Sequence, residues 1–241
     1  MKNQPVIQIS VLYDNNPHDR ELQTDWGFSC FVEGLEKSIL FDTGGNGQIL
    51  LSNMGKLGIR TADIDAVFLS HAHRDHTGGL EDLLALNHKI EVWLPRFFAD
   101  DFKNRVRKSA AKEVEVTTPQ NICENAHTSG VIEGWIKEQS LVLDTKSGLI
   151  LLTGCSHPRI VHIIATVKET FKKDIHLALG GFHLAGFPDK EIKQIIREFR
   201  DSGIRKVGPS HCSGDEARKL FHEEYQEDYI EIGVGKKIKI Q

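Results

Sequence analysis

Nowhere in its 241 residues does the chain carry an apolar run near the roughly 18 residues that cross a bilayer; the longest, GLILL at 148–152, reads as a buried strand. A soluble protein with no membrane partner is expected. Cysteine is scarce and scattered, at Cys30, Cys123, Cys155 and Cys212, so no disulfide framework is visible. The opening MKNQPVIQIS lacks the charged-then-apolar pattern of a secretory signal, which points to the cytoplasm. Positive charge is not in excess either: 30 Lys+Arg against 34 Asp+Glu give a net charge of −4, too little basic field to grip a phosphate backbone. Nucleic acid is therefore not an expected partner. No Ser/Pro-rich linker, low-complexity tract or charge block divides the sequence, and 39% hydrophobic residues suffice for one sizeable core. A single domain over 1–241 follows.

What the sequence does hold is alternation of strand and helix patterns. Residues 6–13, 27–33 and 38–41 read as an antiparallel meander, broken by glycine and polar turns. Residues 48–57 turn helical, and Ala66-Val67-Phe68-Leu69 makes a short apolar strand running into Ser70-His71. A helix over 79–86 and a strand over 90–94 follow, then a charged excursion or lid over 95–112. The second half predicts strand pairing at 131–137 and 140–142 and strands at 149–152, 175–179 and 205–207. Helices are predicted from Pro158, placed at a first helical position, and over 189–199. Two halves of this kind predict a layered α/β architecture, two sheets with helices outside and strand-end loops gathered at one edge.

Twelve histidines are present, and four of them end apolar strands: AVFLSH71, LILLTGCSH157, LALGGFH183 and KVGPSH211. One such histidine is ordinarily a packed or solvated residue; four together mark a site. The first ending is the densest, with His71, His73, Asp75 and His76 inside six residues. Neutral imidazole and carboxylate are good donors to zinc and related divalent ions, and residues two apart on extended backbone face one side. His71 and His73 can share one ion, while Asp75 and His76, beyond the turn, face a second, with Gly78 and Gly79 letting the chain swing into the next helix. Two ions roughly 3.5–4 Å apart would activate a bridging water as nucleophile, so hydrolysis is the expected reaction.

The run HAHRDHTGG resembles the HxHxDH motif of the metallo-β-lactamase superfamily, and the resemblance extends to Phe41-Asp42-Thr43-Gly44 and to the later histidine-bearing strand ends. It implies an αββα sandwich. It also implies that His71, His73 and a later histidine hold one metal, and Asp75, His76 and His211 the other, with Asp42 supporting a ligand imidazole. The third histidine is His157, from a strand-loop-helix setting like that of His71, or His127. Cys155 stands where the family usually has a metal-bridging aspartate; it is either a thiolate ligand favouring zinc or a buried inert thiol. Two divalent ions, zinc first and manganese or iron as alternatives, are the expected cofactors. Asp75 is expected to be catalytic, and His183 an acid or substrate contact.

TGCSHP, GGFHL and SHCSG further resemble the dihydropterin ribofuranosylaminobenzene phosphate synthase-like branch, which implies a transferase, although Arg159 stands where glycine is expected. The leading expectation is a dinuclear hydrolase of a small phosphate-bearing substrate; a pterin-type transferase and a non-catalytic metal sensor are the alternatives. Lys103, Arg105, Arg107, Lys108 and Lys112 read as a solvated helix face or a greeting for phosphate, and Trp93, Phe97, Phe98 and Phe102 as core or pocket wall. Trp26, Phe28 and Phe31 are expected between the sheets, with Trp135 there or at an entrance.

Overall fold

The computed structural model describes residues 6–240. In chain order the first half runs β1 (Ile7–Tyr13), β2 (Ser29–Glu33), β3 (Ile39–Phe41), α1 (Gly47–Lys56), β4 (Ala66–Phe68), α2 (Arg74–Thr77), α3 (Leu80–Leu86), β5 (Glu91–Pro95), α4 (Asp100–Lys108) and β6 (Lys112–Val116). The second half runs β7 (Gln120–Cys123), β8 (Ala126–Thr128), β9 (Leu141–Thr145), β10 (Gly148–Thr153), α5 (Ile160–Phe171), β11 (Ile175–Gly181), α6 (Asp189–Asp201), β12 (Lys206–Ser210), α7 (Asp215–Tyr225) and β13 (Lys237–Ile240).

Two mixed sheets result, ordered β13-β1-β2-β3-β4-β5-β6 and β12-β11-β10-β9-β8-β7. The period-two alternation of side chains explains how each sheet is buried on both faces. Along β10, Ile150 and Leu152 enter a core shared with Ile9, Phe41 and Phe68 of the other sheet. Their neighbours Leu149 and Leu151 instead pack under α5, α6 and α7, beside Ile163, Ile196 and Phe221. On the first sheet, Leu40, Val67 and Val92 pack outward beneath α1, α3 and α4. The layers are therefore helix, sheet, sheet, helix. Parallel pairing of β3 to β6, and of β10 to β12, aligns the carboxyl ends of their strands, and the loops that carry histidines leave from those ends.

The N-terminal meander is antiparallel as expected. Several local expectations need correction. Residues 95–112 form no lid: Val106 and the stem of Lys103 bury the inner face of α4, and the chain then enters β6. Pairing over 131–137 and 140–142 shrinks to one bridge between Ile132 and Glu138, with regular strand only from Leu141. Helix α5 starts at Ile160, not Pro158, because Arg159 takes a positive φ of 76° that no helix accepts. Strands β7, β8 and β13 were not anticipated; they are four, three and four residues long, too short for alternation to stand out. Gly78 and Gly79 have ordinary negative φ, so the turn needs no left-handed residue. A Cβ there would lie 2.4 Å from the Gly45 carbonyl oxygen or 2.3 Å from that of Thr43, so close backbone approach excludes larger residues.

Candidate metal centre

Strand ends deliver the side chains that matter. His71 follows β4; His73 immediately precedes α2, which carries Asp75 and His76; Cys155 and His157 follow β10; His183 follows β11; His211 follows β12. Donor atoms of His71, His73 and His157 lie within 4.8 Å of one another, as do those of Asp75, His76, Cys155 and His211. The two groups adjoin, with the His71 and His76 rings 4.3 Å apart. All seven residues expected as metal ligands are thus brought together. His127 is elsewhere: on β8 it bonds Asn121 at 2.8 Å, its ring against Phe171.

The imidazoles are aimed by a network that assigns their tautomers. Asp42 accepts three hydrogen bonds, from the Ser70 backbone N–H, the Ser70 hydroxyl and His76 Nδ1, each at 2.7 Å. Because the Ser70 hydroxyl donates to Asp42, its oxygen accepts from His71 Nδ1 at 2.9 Å. His211 Nδ1 donates to Asn15 Oδ1 at 3.0 Å, and His157 Nδ1 donates to Glu138. With Nδ1 so engaged, His71, His76, His157 and His211 each keep Nε2 for a metal, and His211 Nε2 stands 3.2 Å from Asp75 Oδ2. His71 Nε2 is buried without a hydrogen-bond partner. His76 Nε2 faces Cys155 Sγ at 3.1 Å, His211 Nε2 at 3.3 Å and Asp75 Oδ2 at 3.6 Å.

Converging lone pairs are unfavourable unless something positive lies between them. Burial, then the neighbouring imidazoles, hold His71 far below the ordinary histidine value and His76 at about 3, so both are neutral ligands at pH 7. Burial opposes ionisation of Glu138, yet His71 and the donors of His157 outweigh it and hold the carboxyl at about 2. Cys155 is held up by its hydrogen bond to Cys212 and by burial, so only a cation would ionise it. An all-nitrogen group beside one of nitrogen, oxygen and sulfur, with an orphaned buried lone pair, fits a pair of divalent ions.

Backbone strain gathers around the centre. Among the described residues nine non-glycine positions have positive φ, and five of them, Asp42, Ser156, Arg159, His183 and His211, surround these donors.

Comparison with known proteins agrees with this geometry. The family model of the metallo-beta-lactamase superfamily matches residues 27–215. The chain belongs to the metallo-beta-lactamase superfamily. Members of this superfamily bind divalent metals, and the donor groups above are the candidates for that role in this chain. The crystal structure of Tm1679, a metal-dependent hydrolase of the beta-lactamase superfamily, superposes with a TM-score of 0.83 at 30% identity, covering 97% of this chain and 99% of that one. A 7,8-dihydropterin-6-methyl-4-(beta-D-ribofuranosyl)-aminobenzene-5'-phosphate synthase of Methanocaldococcus jannaschii is 29% identical over 88% of this chain and 89% of its own. The metallo-beta-lactamase fold protein YhfI of Bacillus subtilis, at 14% identity and a TM-score of 0.69 over 98% of this chain and 99% of its own, shares the fold.

Some residues were not found from the sequence. Glu138 sits in a loop whose sequence, KEQS, carries no metal-site signal, and Asn15 follows β1 far from any histidine motif. Cys212 adjoins His211 and does carry a signal: it is buried, and its thiol donates to the Cys155 carbonyl at 3.5 Å. His183 falls beside Cys155 and Cys212, with Nδ1 buried and unpartnered. Trp26 does not pack between the sheets; it is 54% exposed with its ring 4.8 Å from His211. Phe28 does enter the inter-sheet core, whereas Phe31 packs on the helix side. Trp93 and Phe98 are core, while exposed Phe97 carries Lys137 on its ring. Within the basic stretch Lys103 and Arg107 pair with Glu115, Arg105 with Glu81, and Lys112 with Glu91. Among the described residues no helix is long and apolar enough to cross a membrane.

Proposed function

We propose that this chain is a metal-dependent hydrolase of small phosphoesters that holds two divalent ions, zinc by preference. The observation that carries this reading is the pair of adjoining donor groups, His71 with His73 and His157, and Asp75 with His76, Cys155 and His211. Ions held there would supply Lewis acidity toward phosphoryl oxygens and an acidified water as nucleophile. The chain's own residues supply the rest. His73 is exposed and Asp75 half-buried, which leaves this side of the centre open to a substrate. Asp75, drawn far below the usual carboxylate range by His211 and His76 in spite of burial, stays ionised and stands between them. Trp26 borders the His211 side of the centre, its ring 4.8 Å from that of His211. His183 lies beside Cys155 and Cys212 with Nδ1 buried and unpartnered, and it is the residue assigned to hand a proton to a leaving oxygen. Four free, buried cysteines suit a reducing cytoplasm.

The 30% identical metal-dependent hydrolase supports hydrolysis. A second reading, group transfer to an aromatic acceptor, has its support in the 29% identical synthase. Incubation of the zinc-loaded protein with an aryl phosphodiester separates them: release of the aryl alcohol is expected, and an intact ester would overturn the hydrolase in favour of the transferase.

A further inference from the structure

Beside the metal donors lies a pocket of about 360 Å³, inside the range of roughly 300–1,000 Å³ usual for small-molecule sites. It shares His157 and His183 with the centre, and its other walls include Trp135, Phe182 and Phe187. Trp135 is 74% exposed and Phe187 37%, a wasteful placement for two large apolar rings unless something covers them. Neither is loosely held. The tip bearing Trp135 is closed by the Ile132–Glu138 bridge, and Gly134 rests so near Pro158 that a Cβ would lie 2.7 Å from its Cα. This fixes the Trp135 ring 5.1 Å from that of His157 and 6.3 Å from that of His183. Phe187 is tied by its N–H to the Leu184 carbonyl, just before α6.

Arg159 gives the pocket a cation at its exposed rim. Its φ of 76° and ψ of 125° suit glycine and strain any L residue. Glu191 also lines the rim, on the first turn of α6, and sets a carboxylate where a second anion would be repelled.

We propose that this pocket receives a planar aromatic group of the substrate, stacked on Trp135 and carrying an anionic substituent toward Arg159. This rests on the reading of the centre as a site for phosphoryl groups, because the pocket adjoins the donors through His157 and His183. The class of substrate is then an aryl or arylmethyl phosphoester with an acidic substituent on the ring.

Calorimetric titration of the zinc-loaded protein with non-hydrolysable phosphonates tests this. Benzylphosphonate should bind about tenfold more tightly than methylphosphonate, as ring stacking on an aromatic side chain implies, and 4-carboxybenzylphosphonate more tightly still. Trp135→Ala should abolish the aromatic preference and leave methylphosphonate affinity unchanged. Arg159→Gly should remove only the gain from the carboxylate, and raise the melting temperature as strain is released. Equal binding of benzylphosphonate and methylphosphonate, or an aromatic preference that survives in Trp135→Ala, overturns the pocket while leaving phosphoester hydrolysis intact. Retained preference in a protein that cleaves no ester would overturn the hydrolase and leave the pocket standing.

Discussion

Replacing Glu138 by glutamine isolates what the network behind the ligands contributes. The carboxylate is buried and accepts from the backbone N–H of Ser156 at 2.9 Å, from that of His157 at 3.0 Å, and from His157 Nδ1. Glutamine keeps the shape but turns an NH2 toward donors, so at least one buried donor loses its acceptor. Each such loss costs about 1–3 kcal/mol. Against a usual margin of about 5–15 kcal/mol, the variant should fold but melt lower. With His157 no longer held in one orientation, affinity at the His71, His73 and His157 group should fall about 10–100-fold. Zinc titration against a competing chelator measures the affinity and calorimetry the melting. Glu133→Gln is the control, since Glu133 is exposed and pairs only with Lys137 at 3.0 Å. Wild-type metal affinity in Glu138→Gln would refute the positioning argument, even if stability fell.

Asp75→Ala should lose most hydrolytic turnover while keeping the fold, because the side chain is 21% exposed and packs no core; unchanged turnover at unchanged metal content would remove Asp75 from the mechanism. Cys155 should give a thiolate-to-metal absorption band when cobalt(II) is loaded in place of zinc and lose it in Cys155→Ser, and a cobalt spectrum without that band would make it a packed thiol. Metal-free protein should lose stability on acidification between about pH 6.5 and 3. His76 is neutral in the folded chain down to about 3, whereas the unfolded chain takes up the proton from 6.5. Below about 4.5 Glu138 adds to the loss, since its low folded value contributes stability only above the unfolded one. A melting temperature flat across that window would contradict both assignments.

The layered fold and the grouping of the seven candidate donors were legible in the sequence because both are written locally. Apolar runs ending in histidine place a side chain at a strand's carboxyl end, and two-residue spacing in His71-Ala72-His73 sets a common face. What the sequence hid depends on tertiary approach. Glu138 and Asn15 act across the sandwich on His157 and His211, and no spacing along the chain announces either. Cys212 stood beside His211 in plain view, but its contact with Cys155 arises only when β11 brings β10 and β12 together. The helix inside the expected lid or excursion over 95–112 was hidden because a charged amphipathic helix with only Val106 and the Lys103 stem buried resembles a loop in composition. Trp26 shows the converse: hydrophobicity suggested core, yet the ring faces solvent at the mouth of the site.

Elemental analysis of the gently purified protein after incubation with zinc tests the central claim, that the two adjoining donor groups hold an ion each. Two ions per chain are expected, falling toward one in the His211→Ala variant. A complement of one that added zinc, manganese or iron does not raise would contradict the dinuclear centre.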